Sequence, residues 1–205
     1  MSLVAIIPIK PLNKGKSRLS SVFNEKQRIE LNTQLLKNTI RAIKNIQTIN
    51  QIFVISSDPN VLSIARDLGT KTIQEQKSTN INRALRKATK AALAYKADKI
   101  IIIPADLPLI NEIDIISIID KMSYPPQIII VPDRKDSGTN ILLINPIGIL
   151  DFEFGSNSFI RHIEQAQRKN IRVDVVRTES LGLDVDSPDD YLEVMKKTEL
   201  LKYKM

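Results

Sequence analysis

The residues best suited to chemistry fall in a few short segments. Lys10-Pro11-Leu12-Asn13-Lys14-Gly15-Lys16-Ser17-Arg18-Leu19 crowds four cations, Lys10, Lys14, Lys16 and Arg18, into one stretch. Fixed positive charge beside a nucleotide's phosphates neutralises the bound anion and the charge that develops on a departing pyrophosphate. The stretch lacks the G-x-x-x-x-G-K-[ST] spacing of a P-loop, so that mode of phosphate binding is excluded. Its alternative reading is a solvated basic loop. In Pro104-Ala105-Asp106-Leu107-Pro108-Leu109, Asp106 is the first candidate metal ligand, a carboxylate able to hold Mg²⁺ beside a triphosphate. An Asp that caps a turn before Pro108 would fit the same residues.

Leu183-Asp184-Val185-Asp186-Ser187-Pro188-Asp189-Asp190 offers a second acidic set. Asp184 and Asp186 are two residues apart, so in an extended chain both side chains point to one face. Mg²⁺ takes one or two protein carboxylates and leaves its other positions to phosphate and water, so Asp106 with one of this pair suffices. Ser187 and Asp189 read as caps around Pro188 at the start of a helix. In Phe154-Gly155-Ser156-Asn157-Ser158-Phe159, the free N–H groups of a following helix could bind an anion, with Gly155 permitting close approach and Ser158 donating a hydroxyl. Ser156 or Asn157 reads equally well as the N-cap. Gly138-Thr139-Asn140 is either a turn or a wall of the same pocket. His162, the only histidine, lies one turn beyond Ser158, although a lone His on an exposed helix is more often inert. With no cysteine, no second histidine and no G-x-S-x-G elbow, the usual nucleophile-base pairs are missing, and reactions driven by positioning and charge stabilisation fit better.

The elements that position these segments alternate. Leu3-Val4-Ala5-Ile6-Ile7 is a continuous aliphatic run, as in a strand covered on both faces. A helical pattern over about 25–46 is followed by a strand at Ile52-Ile55, a helix near Val61-Leu68, a short strand near Thr70-Ile73, a helix over about 80–95 and the strand Lys99-Ile103. This βαβα order predicts an α/β fold with a mostly parallel sheet, helices on both faces and ligands at the carboxyl ends of the strands. After a helix near Glu112-Met122, strands at Gln127-Val131 and Ile141-Ile144 are joined too closely for a helical crossover, which predicts a hairpin-like excursion around 127–145. A helix near Ser158-Lys169, strands near Arg172-Val176 and Gly182-Val185, and a helix from Pro188 complete the expectation. No linker or repeat divides residues 1–205, so a single domain is expected.

Lys and Arg number 30 against 23 Asp and Glu, a net charge of +7 that favours polyanionic partners. Nucleic acid is disfavoured, because only 4% of residues are aromatic and the cations are dispersed. The apolar runs are too short to span a membrane and no basic region precedes the first of them, so we expect a soluble cytoplasmic protein without a membrane partner.

In their order, PIK with KGKSRL, PADLPL, PDRKDSGTN, FGSNSF with His162, and LDVDSPDD resemble the 2-phospho-L-lactate guanylyltransferase family from Val4 to about Tyr191. The resemblance implies a nucleotide-diphospho-sugar transferase (GT-A-like) fold, Mg²⁺, a homodimer, and transfer from GTP to a small phosphorylated three-carbon acid in deazaflavin coenzyme biosynthesis. It implies that Asp106, Asp184 and Asp186 hold the metal and that Thr139, Gly155 and Ser158 hold the acid. Lys10, Lys16 and Arg18 would face the triphosphate, with Asp106, Lys16 and Arg18 forming the catalytic set. Asn82, in Asn80-Ile81-Asn82-Arg83-Ala84-Leu85, resembles part of a Leu-Asn-x-Ala-Leu segment near the nucleotide.

Overall fold

The computed structural model describes residues 2–76 and 80–202. Its strands are β1 (Leu3–Pro8), β2 (Ile49–Ser56), β3 (Lys71–Gln74), β4 (Lys99–Ile102), β5 (Gln127–Pro132), β6 (Thr139–Asn145) and β7 (Arg172–Val175). They form one sheet in the order β3-β2-β1-β4-β6-β5-β7. Every neighbouring pair is parallel except the two made by β6. The helices are α1 (Glu25–Lys44), α2 (Pro59–Asp67), α3 (Ile81–Ala94), α4 (Glu112–Asp120), α5 (Ser158–Arg168), α6 (Glu179–Gly182) and α7 (Pro188–Lys202).

The strands read as unbroken apolar runs because both faces are covered. Leu3, Ala5 and Ile7 of β1 face one core with Ile101, Ile129 and Leu143, packed under Leu36, Ile40 and Ile43 of α1 and Ile115 and Ile118 of α4. The intervening Val4 and Ile6 face the other core with Ile100, Ile102, Ile128 and Leu142, under Leu85 and Ala88 of α3 and Phe159 and Ala166 of α5. The period-two alternation of side chains distributes each strand between the two layers.

This topology brings the chemical segments to one edge. Strands β1 to β4 all end on the same side, and β6, running the other way, begins there at Thr139. The turn 133–138 is organised by Asp133, whose Oδ1 accepts the Ser137 N–H (2.9 Å) and whose Oδ2 accepts the Gly138 N–H (2.8 Å). β6 ends at the far side, and the chain returns to the ligand edge before α5 begins, where the Phe159 N–H donates to the Ser137 carbonyl (3.2 Å).

One expected strand is absent. Gly182 closes α6, and residues 183–186 belong to no strand. The Gly182 carbonyl accepts the Arg134 N–H (3.1 Å), and the Val185 N–H donates to the Asp106 carbonyl (3.2 Å). The segment therefore bonds to loops across the end of the sheet, which produces the same alternation of apolar and acidic residues without a ladder.

Ile101 of β4, flanked by β1 and β6, is fully buried, whereas Ile113 on α4 is exposed. Denaturant unfolding should register a loss of roughly 2–5 kcal/mol for Ile101→Ala. Ile113→Ala should stay within about 0.5 kcal/mol of the parent.

Candidate active site

The basic loop owes its shape to two side chains. Asp58, just after β2, accepts the Leu12 N–H at Oδ2 (3.0 Å), and Asn32 of α1 donates from Nδ2 to the Leu12 carbonyl (2.8 Å). A Cβ on Gly15 would meet Asn32 Nδ2 at 2.6 Å, so only glycine lets the loop lie this close to α1. Lys16 follows in the left-handed region (φ 56°) at the start of the short 3₁₀ turn Ser17–Ser21. For a non-glycine residue that conformation carries strain, and here it accompanies an inward-directed side chain.

That side chain ends between the acidic loops. Lys16 Nζ donates to Asp106 Oδ2 and to Asp186 Oδ1, each at 2.9 Å, with only 7% of the side chain exposed. The carboxylates remain 32% and 47% exposed. Burial alone would push the Lys16 ammonium toward neutrality, but the charges and hydrogen bonds of Asp106 and Asp186 outweigh it and raise the pKa. Asp184 lies beside the pair. Its burial, together with repulsion from Asp106 and Asp186, lifts its pKa to about 6.

Three tethers set the second acidic loop. Asn140 Nδ2 donates to the Leu181 carbonyl (2.8 Å), and the Arg134–Gly182 and Val185–Asp106 backbone bonds hold the chain on either side of Leu183. Leu183 and Val185 bury themselves with Leu19 and Val194, which turns Asp184 and Asp186 the other way. Ser187 caps α7, its Oγ accepting the Asp190 N–H (3.3 Å), while Asp190 Oδ2 accepts from the Ser187 hydroxyl (2.7 Å). The reciprocal partner is thus Asp190, not Asp189.

A cavity of about 320 Å³ opens over the sheet edge, lined by Lys10, Lys16, Asp106 and Asp186 together with Glu75, Asn80 and Ile81. Lys10 and Lys16 fall where the sequence puts them. Arg18 is exposed on the 3₁₀ turn and is not among the lining residues, because the turn carries it past the cleft. Asn82 has other employment: its Nδ2 donates to the Phe154 carbonyl (3.1 Å) and its Oδ1 accepts the Phe154 N–H (2.8 Å). Both ends of the amide clamp α3 to the loop before α5, which brings that loop alongside the cleft. Of the other lining residues, Asn80 and Ile81 lie in the segment that contains Asn82, whereas Glu75 was not singled out from sequence: it carries no motif, and only its place just after β3 marks it.

The segment read as an anion site is also distinctive. Gly155 adopts φ 126°, and Asn157 occupies the N-cap position of α5 at φ 57° without a side-chain cap bond. Thr139 and Ser158 are buried polar residues. His162 is buried too, contrary to the exposed helix face expected of it; Thr139 Oγ1 lies 3.0 Å from its Nδ1 and the Glu153 N–H donates to its Nε2 (3.1 Å). Among the described residues no helix is long and apolar enough to cross a membrane.

The same fold recurs in nucleotidyltransferases. A solved nucleotidyl transferase from Methanothermobacter aligns with a TM-score of 0.71 over 94% of this chain and 95% of its own, at 10% identity, a likeness that establishes the fold. The chain belongs to the family described as Guanylyl transferase CofC like, which it matches over residues 3–203. It is 36% identical to a phosphoenolpyruvate guanylyltransferase of Rubrobacter xylanophilus, across 93% of this chain and 92% of that one. It is also 36% identical to a 2-phospho-L-lactate guanylyltransferase of Methanobrevibacter ruminantium, across 98% and 89% respectively.

The raised Asp184 pKa carries a definite sign. The folded protein holds this proton up to a pH of about 6, whereas the unfolded chain releases it near 3.8, so the Asp184 contribution to stability is present below that window and lost as pH rises through it. Asp184→Asn should therefore gain stability relative to the parent as pH increases from 4 to 6, followed by urea unfolding in metal-free buffer. An unchanged difference across that range would mean Asp184 ionises as it does in the unfolded chain.

Proposed function

We propose that this protein transfers a guanylyl group from GTP to the phosphate of a small phosphorylated three-carbon acid, 2-phospho-L-lactate or phosphoenolpyruvate. The observation that carries the proposal is the Lys16 ammonium bridging Asp106 and Asp186 in a cleft also lined by Lys10. Both substrates are polyanions, and the two family relatives carry the same activity in their names.

The reaction asks for little proton chemistry. A phosphate oxygen of the acid, already ionised at neutral pH, attacks the α-phosphorus of GTP in line; the bond from that phosphorus to the bridging oxygen breaks and pyrophosphate departs with the electron pair. Lys10 and Lys16 counter the charge that accumulates on the pyrophosphate. Asp106 and Asp186 suit a hard divalent cation, since their oxygens already share one cationic neighbour at 2.9 Å each. Among the described residues no cluster of three or more such ligands is assembled, and two carboxylates meet the need of Mg²⁺. Bound there, Mg²⁺ would neutralise phosphate oxygens and align the α-phosphorus with its attacker. Asp184 would add a third carboxylate nearby, available once its proton is lost. Thr139, Gly155 and Ser158 would receive the acid at the start of α5. Magnesium dependence, a homodimer, a cytoplasmic location and a role in deazaflavin coenzyme biosynthesis belong to the same reading.

Pyrophosphate release from purified protein tests it. Release should require GTP, Mg²⁺ and one of the two phospho-acids together, and Asp106→Ala should lower turnover by roughly a hundredfold or more while retaining the parent's circular dichroism. Release that proceeds equally with sugar phosphates, or a fully active Asp106→Ala, would contradict the proposal.

A further inference from the structure

The hydrogen bonds around His162 determine which nitrogen carries the proton. The Glu153 backbone N–H donates to Nε2 at 3.1 Å, so Nε2 is an acceptor and bears no hydrogen. A neutral imidazole must then hold its proton on Nδ1, which lies 3.0 Å from Thr139 Oγ1. The direction of that bond follows: Nδ1–H donates and the threonine oxygen accepts. The ring is fully buried, packed edge-on against Phe154 with centroids 5.0 Å apart. Burial first, and Arg161 second, hold its pKa down to about 4, so the neutral form prevails at pH 7.

Thr139 is left with its own proton to place. Its hydroxyl has no other partner among the described residues, and the residue is 8% exposed. Ser158, one helical turn before His162 on the same face of α5, is 1% exposed, and its hydroxyl likewise has no hydrogen bond among the described residues. Thr139, through its bond to His162, and Ser158, the first residue of α5, thus border the same helix turns. The Thr139 hydroxyl has its accepting side occupied by a rigid ring, which leaves it to act as a donor.

We propose that His162 is a positioning residue for the acceptor substrate: by donating from Nδ1 to Thr139 Oγ1, it turns the threonine hydroxyl into a fixed donor toward an oxygen of the phosphorylated acid. This rests on the function proposed above. It assigns the sole histidine no proton transfer. The ring contributes orientation, and a second consequence is selectivity for anionic acceptors, because a hydroxyl committed to donating finds its best partner in a charged oxygen.

Two measurements test this. The first is the ¹⁵N spectrum of the imidazole, unambiguous because the chain has one histidine. At pH 7 it should report the Nδ1–H tautomer, and an Nε2–H tautomer or an imidazolium would overturn the proposal. The second is steady-state kinetics. His162→Phe should raise the KM for the phospho-acid by roughly tenfold, the worth of one hydrogen bond to a charged group, with the KM for GTP unchanged. His162→Asn, whose amide can still donate to Thr139, should recover most of that loss. In a Thr139→Val background, His162→Phe should add no further increase; an equal increase there, or one shared by GTP, would mean that the ring only supports the fold. Should the parent turn over neither phospho-acid, the functional reading falls, and titration with inorganic phosphate decides this one. Movement of the ring ¹⁵N signals in the parent but not in Thr139→Val sustains it, and no movement in either sinks it.

Discussion

The ammonium of Lys16 is largely buried at the wall of the cleft and has carboxylates from two distant parts of the chain as its partners, Asp106 after β4 and Asp186 before α7. A buried cation without counter-charges would be strongly destabilising, and acidic loops crowded together without a cation would repel. Each half of the arrangement therefore requires the other. Asp184 registers the residual strain: its pKa is lifted by burial and by the very neighbours that Lys16 neutralises. The proposed function uses both sides of this balance, a divalent cation on the acidic side and phosphates on the basic side.

The sheet makes the meeting possible. Because β1 and β4 are adjacent and parallel, the loops after them emerge side by side. The reversed strand β6 supplies Thr139 and Asn140 at the same edge, and Asn140 reaches the Leu181 carbonyl to fix the approach of the second acidic loop. Asn82 joins α3, whose first turn lines the cleft, to the loop before α5. Capping, turn and amide contacts of this kind add little stability individually. Their effect is to set distances.

Much of this was legible in the sequence, for physical reasons. Strands covered on both faces must be apolar throughout, so β1, β2, β4, β5 and β6 stand out as aliphatic runs, and the short link between β5 and β6 forces an antiparallel pair. Lys10, Lys16 and Asp106 could be found because they follow such runs. Gly182–Val185 misled because alternation reports which residues are buried and not whether the partner is a strand or a loop. The sequence likewise could not reveal that Asn82 is consumed by Phe154, a residue 72 positions away, or that His162 is buried. Glu75 escaped notice because lining a cleft leaves no local signature.

If the acidic loops are held by the Lys16 ammonium and accept a divalent cation in the same place, as proposed, thermal unfolding of the parent and of Lys16→Met, each with and without Mg²⁺, will distinguish the two proteins. Without the metal, Lys16→Met should melt below the parent because two carboxylates lose their counter-charge. Mg²⁺ should then raise the Tm of the variant by more than it raises that of the parent. Equal shifts in both proteins, or none in either, would contradict the claim.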